Sequence, residues 1–236
     1  MRLILIALLL LAPMGAFAQS CPQPLASARR LVLVTADDMN SPAARLQRFA
    51  RANTNAPWRP DGVPASALIG RNGIGWGYPF RAFARLGEPV KVEGDKRAPA
   101  GIYAIGHPFG FAPSPRPGYL PIREGMVCVN DVRSGAYNTI VSRAQIGPQV
   151  HGENMARVPE YRRGLLVDYP SSRGARGGSC IFIHLWLPNK TGTAGCVALR
   201  EPQLAQLQDF AQGGAVLAIV PRGALNRFGG CLPSLN

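Results

Sequence analysis

Gly178-Ser179-Cys180-Ile181-Phe182-Ile183-His184-Leu185-Trp186, followed after a short connection by Thr193-Ala194-Gly195-Cys196-Val197-Ala198-Leu199, is the stretch on which the fold turns. Branched and aromatic residues crowd the first run, small residues fill the connection, and apolar residues resume in the second. That composition predicts two short strands joined by a loop. Period-two alternation puts Cys180, Phe182 and His184 on one face of the first strand. Gly195 spares an incoming carbonyl a side chain next to Cys196, and the His184-to-Cys196 interval is long enough for a strand-loop-strand return. A thiol becomes a nucleophile when an imidazole can take its proton. From the residues alone two plainer readings stand beside this one: a cysteine paired in a disulfide, and a histidine satisfied inside a core.

Outward from this stretch, residues 60–180 carry short strand-like pieces broken by Gly and Pro. They are Ala67–Gly70, Gly75–Tyr78, Val90–Val92, Gly101–Ile105, Met126–Val129 and Leu165–Asp168, with Ser179–Leu187 closing the series. Many short strands at close spacing predict a mainly β protein with a few short helices, a sandwich or a barrel. Phe109 to Pro121 holds four prolines and reads as a loop. Leu31 to Thr35 reads as a strand. Ser41-Pro42-Ala43-Ala44, with Leu46, Phe49 and Ala50 at helical spacing, predicts a helix. Glu201 to Gln212 reads as a second helix, stopped by Gly213-Gly214, and Ala215 to Val220 as a closing strand. With no repeat and no linker, the expectation is a single domain at 67–221, an N-terminal extension at 19–66 packed on it, and a C-terminal tail at 222–236.

Residues 1–18 have the form of a secretory signal: Met1-Arg2, an unbroken apolar run from Leu3 to Ala12, and Ala16-Phe17-Ala18 before the cut. The apolar run is too short for a membrane span. Gln19-Ser20 fit poorly ahead of a lipidated Cys21. The chain is therefore expected to be exported, periplasmic or cell-wall associated, without stable membrane insertion. Its net charge is +13, and arginine supplies all but three of its 26 cationic side chains, the exceptions being Lys91, Lys96 and Lys190. These charges are scattered rather than gathered on one helix, so together with export they point to an anionic envelope polymer and away from nucleic acid. An oxidising compartment pairs thiols, and five cysteines leave one over.

Metal chemistry finds no ligand pattern, since Cys-x-x-Cys and His-Glu-x-x-His are absent and His107, His151 and His184 lie far apart. His151-Gly152-Glu153 matches the start of a zinc-deaminase signature whose Pro-Cys-x-x-Cys half is missing. The Gly-x-Ser-x-Gly elbow of serine hydrolases is absent too. No metal and no cofactor are expected.

The run from His184 to Leu199, in which His184 precedes Thr193, Gly195, Cys196 and Val197, resembles the L,D-transpeptidase (YkuD-like) catalytic domain. Val92-Glu93-Gly94-Asp95-Lys96 with Pro99-Ala100-Gly101-Ile102-Tyr103 is similar to an upstream strand-turn-strand of that family, so the resemblance extends over about residues 68–220. It departs at Ala194, where His or Arg is usual, at Ala198, where Arg or Asn is usual, and in a shorter His-to-Cys interval. The resemblance implies a β-sandwich and an acyl transfer on peptidoglycan stem peptides through a Cys196 thioester. It implies His184 as general base, then acid, an oxyanion hole from the Gly195 and Cys196 N–H groups, and Thr193 as the group that orients the imidazole. Arg71, Tyr137, Asn138, His151 and Glu153 are the substrate-binding candidates. Arg71 sits in a Gly70-Arg71-Asn72-Gly73 turn from which it could grip a carboxylate, and the other four lie in polar loop clusters.

If Cys196 must stay free, the other four cysteines can pair, and the favoured arrangement is Cys128–Cys180 with Cys21–Cys231. The chain is read as a monomer acting on peptidoglycan. Two alternatives keep this fold: a hydrolase of stem peptides or of protein–wall links, and a wall-binding module without turnover, the latter motivated by Ala194 and Ala198.

Overall fold

A computed structural model describes residues 21–235. The expected leader at 1–18 lies outside them. Leu31-Val32-Leu33-Val34, apolar at every position, forms the heart of β1 (Arg30–Ala36) and is buried throughout. A strand with no polar face must be covered on both faces, and the four side chains are at most 1% exposed; along one edge β2 (Ala43–Ala50) pairs with it antiparallel. β3 (Arg59–Leu68) pairs with β2 through a register shift near Gly62, where φ is +74°.

The short β4 (Ile74–Trp76) runs parallel to the start of β5 (Ala98–Gly110), and β6 (Leu120–Pro121) parallel to its end. Next come β7 (Met126–Val129), β8 (Ile140–Ser142), a one-turn α1 (Arg143–Ile146) and β9 (Gly152–Asn154). Then follow β10 (Arg163–Val167), β11 (Phe182–Leu185), β12 (Val197–Leu199), α2 (Glu201–Phe210) and β13 (Val216–Pro221).

Eight strands close into a barrel in the order β10-β11-β12-β3-β2-β1-β13-β5, with β5 returning to β10. Closure leaves no unpaired edge in that circuit. The protein is thus mainly β with few short helices, as expected, but the expected sandwich is corrected to a barrel. A second sheet, β8-β7-β9, lies outside the circuit.

Three further expectations change. The expected extension at 19–66, described from residue 21, is not packed on a domain: it supplies β1, β2 and most of β3, three of the eight staves, and the boundary at 66/67 falls inside β3. The predicted helix at 43–50 is β2. Leu46 and Phe49 project from opposite faces of this strand and both are buried, so the three-residue spacing reports two covered faces rather than one helical stripe. The supposed tail is built in: Ala224, Phe228 and Leu232 join the core, and Phe228 stacks on Phe83 at 4.8 Å. Arg227 forks onto both oxygens of Glu88 at 2.6 Å, which holds that carboxyl down to about 2.

The predicted helix at 201–212 is α2. It buries Leu204 and Leu207 in the core, and Gln208 Nε2 donates to the Gly164 carbonyl of β10 at 2.8 Å. Among the described residues no helix is long and apolar enough to cross a membrane.

Two apolar clusters result. The larger takes in both faces of β1 and parts of α2 and the C-terminal segment, and it includes Ile183, Leu185, Val197 and Leu199. The smaller lies on the outer face and contains Phe109, Tyr161, Phe182, Cys128, Cys180 and Cys196. Disulfides join Cys21 to Cys231 and Cys128 to Cys180, leaving Cys196 as the free thiol. The second bridge ties β7 of the small sheet to the residue leading into β11.

Candidate active site

β11 and β12 run parallel with Ile183 opposite Val197 and His184 opposite Ala198. Extending that register one step back sets Cys196 level with Phe182. Alternation then turns Ile183, Leu185, Val197 and Leu199 into the barrel and leaves Phe182, His184, Cys196 and Ala198 outside. The imidazole and the thiol therefore share one face of neighbouring strands, and both line a cavity of about 540 Å³.

The Cys196 thiol is buried and held at two points. The Phe182 N–H donates to Sγ at 3.3 Å, and Sγ donates to the Cys180 carbonyl at 3.3 Å. Burial pushes the thiol up to about 12, and the nearby Glu153 carboxylate adds to the rise. His184 Nδ1 lies 2.9 Å from the Leu185 carbonyl. A carbonyl can only accept, so Nδ1 carries the proton and Nε2 is left as the basic nitrogen. Burial lowers the pKa of His184. Both groups thus rest neutral, and the thiol proton is given to the Cys180 carbonyl rather than to the imidazole. Resting sites commonly show such hydrogen bonds unformed until a substrate is in place.

Thr193 and Gly195 are positioned differently from expectation. The Thr193 hydroxyl donates to the Cys196 carbonyl at 2.7 Å and accepts from the Gly195 N–H at 3.0 Å. It pins the loop that carries Cys196, while the Leu185 carbonyl orients the imidazole in its stead. With the Gly195 N–H committed, Cys196 N–H is the remaining candidate of the two oxyanion donors. Glycine at 195 answers a backbone need: its φ is +144°, and a Cβ there would meet the Arg97 carbonyl at 2.9 Å.

Of the substrate-binding candidates, Arg71 and Glu153 line the cavity and the other three do not. Arg71 is exposed at its rim, its N–H donating to the Thr193 carbonyl at 2.8 Å. Glu153 accepts from the Tyr161 hydroxyl at 2.6 Å. Tyr137 stands behind the wall, donating to Glu93. Asn138, at φ +61°, accepts the Cys180 N–H at 3.0 Å and donates to the Tyr169 carbonyl at 2.9 Å, so it holds the segment whose carbonyl engages the thiol. His151 is exposed, with its backbone N–H 3.4 Å from Asp131.

Sequence reasoning passed over Tyr161, whose ring meets those of Phe109, Phe182 and His184 at 5.4–5.8 Å. It passed over Glu93, Lys91 and Glu160 as well, all on the cavity wall. Glu93 stood inside the Val92–Lys96 turn, which was the available signal. Tyr161 lies in a Pro159–Arg162 helical turn with no motif around it.

No family model matches this chain, and no curated protein or solved structure matches it either.

Proposed function

We propose that this protein is an exported cysteine acyl-transferase of the L,D-transpeptidase type, acting on peptidoglycan stem peptides. The observation that carries the proposal is the pairing of a free, buried Cys196 with a tautomer-fixed His184 in one cavity, while the other four cysteines are disulfide-bonded.

The chemistry follows from two neutral partners. Because the thiol's pKa is raised and that of the imidazole is lowered, no thiolate–imidazolium pair stands ready. Nε2 of His184 takes the proton as Sγ bonds to the substrate carbonyl carbon, which is general-base rather than ion-pair activation. The carbonyl oxygen becomes an oxyanion beside the Cys196 N–H. On collapse, the C–N bond breaks and the imidazolium returns its proton to the leaving amine, giving a thioester and a free D-amino acid. An incoming amine, deprotonated by the neutral His184, displaces Sγ and forms a new amide. Water in the same position yields the trimmed acid. The basic exterior suits an anionic wall polymer, and two disulfides suit an oxidising envelope.

The test is acylation by a carbapenem followed by intact mass. Wild type should gain one adduct that Cys196→Ala lacks. Stem peptides incubated with the enzyme should then gain cross-linked dimers by mass spectrometry. Trimmed monomers alone would make the protein a hydrolase. Absence of any adduct, with retained pelleting on wall sacculi, would leave a binding module.

A further inference from the structure

Glu153 is a carboxylate that acyl transfer through Cys196 and His184 does not use. It lies on β9, opposite Cys128 of β7, and the Cys128–Cys180 bridge carries that pairing to the segment whose carbonyl holds the thiol. Its Oε2 takes the Tyr161 hydroxyl, and Tyr161 is clamped edge-on by Phe109, Phe182 and His184. A carboxylate has about four acceptor positions, and this single donor leaves most of them open to the cavity.

The surrounding charges do not neutralise it. Lys91 Nζ lies 2.5 Å from Asp95 and also donates to the Val92 carbonyl. Lys190 is paired with Glu160 at 3.1 Å, and Arg157 with Glu124 at 3.2 Å. Arg71 and Lys96 are exposed at the rim. Glu93, the other carboxylate facing this space, accepts hydroxyls from Tyr137 and Ser179 and is matched by no cation among the described residues. Glu153 and Glu93 thus face the cavity without an ion-pair partner, in a chain whose total is +13; burial raises the pKa of Glu153, and Lys91 acts on the thiol in the opposite sense.

We propose that Glu153 makes the Cys196 cavity selective for ligands that carry a cationic group, such as a primary ammonium, next to the carbon that Sγ attacks. A positive group seated there offsets the carboxylate that opposes thiolate formation, so the right ligand also makes the nucleophile easier to ionise. This rests on the reading of Cys196 as the acyl-forming nucleophile and adds a preference that the reading does not contain.

Charged thiol reagents test it without peptidoglycan. With a methanethiosulfonate, Sγ loses its proton to solvent and bonds to the sulfenyl sulfur, and methanesulfinate leaves. Rates for the 2-aminoethyl, neutral methyl and 2-sulfonatoethyl reagents are compared on the disulfide-intact protein. The aminoethyl reagent should react about tenfold faster than the sulfonate in wild type, equivalent to about 1.4 kcal/mol. In Glu153→Gln the ratio should fall to about one or below, and Asp37→Asn, which like its partner Arg222 lies outside the cavity, should leave it unchanged. The methyl reagent reports access in each protein, so a merely loosened cavity moves all three rates together.

Overall charge alone favours the sulfonate. An equal or sulfonate-preferring wild type therefore overturns the proposal even if the variant does not fold, as does a ratio that survives Glu153→Gln. Carbapenem acylation without any charge preference would remove this proposal and leave the transferase reading intact. Charge preference without acylation would do the reverse.

Discussion

The two faces of the β11–β12 pair share a backbone and differ in everything else. Inward, Ile183, Leu185, Val197 and Leu199 are at most 1% exposed and belong to the larger apolar cluster. Outward, Phe182, His184, Cys196 and Ala198 are also buried, yet two of the four are polar; Phe182 packs in the smaller apolar cluster, while His184, Cys196 and Ala198 line the cavity. Buried aliphatics contribute roughly 1.5–3 kcal/mol each toward folding. A buried imidazole and thiol cost free energy unless bonded, and here each has a carbonyl partner, the thiol sulfur also accepting from the Phe182 N–H. One face serves stability and the other holds a buried thiol and imidazole, in strands of only three and four residues.

That division can be broken experimentally. The largest effect should come from the outer face: His184→Ala is expected to slow Cys196 acylation by about 10²–10⁴-fold, with little change in the urea midpoint. A large stability loss instead would return the histidine to a structural role. Next, Ile183→Ala on the inner face should lose about 2–5 kcal/mol in equilibrium unfolding, while the folded fraction acylates at the wild-type rate.

Thr193→Val, which removes the hydroxyl bridging the Cys196 carbonyl and the Gly195 N–H, straddles the two. It should cost about 1–3 kcal/mol and slow acylation as well, because both groups belong to the loop that carries Cys196.

The smallest and sharpest test is the pH profile. His184's pKa is lowered, so its neutral, proton-accepting form persists to below the usual 6.5. The acylation rate should therefore be sustained through neutral pH and fall only in an acid limb centred below 6.5. With the thiol at about 12, no alkaline plateau should appear near pH 8–9. A limb at or above 6.5 would point instead to an imidazolium stabilised by a standing thiolate.

How much of this could be read from the chain follows the same division. Strand-forming runs such as Leu31–Val34 and Phe182–Leu185, and the stop at Gly213-Gly214, are local signals, and they became β1, β11 and the end of α2. Closure was not legible, because whether β5 returns to β10 depends on pairings between residues about 55 apart in sequence. The β2 error has the same origin. Neighbours on both faces came from elsewhere in the chain and erased the alternation that would have marked a strand. In the site, Cys196 and His184 stood out by chemistry and spacing. Their supports did not, since the Leu185 carbonyl and the Phe182 N–H are backbone groups every residue has. Tyr161 and Glu153 meet only after β9 and the turn at 159–162 are folded.

The bond between Cys21 and Cys231 has a mechanical meaning. It sews the barrel into a covalent ring, so a tug arriving from outside residues 21–231 travels through one sulfur–sulfur link and bypasses all eight staves. A pull applied between the two ends would load that stitch, and the cavity would keep its shape while the load is carried past it.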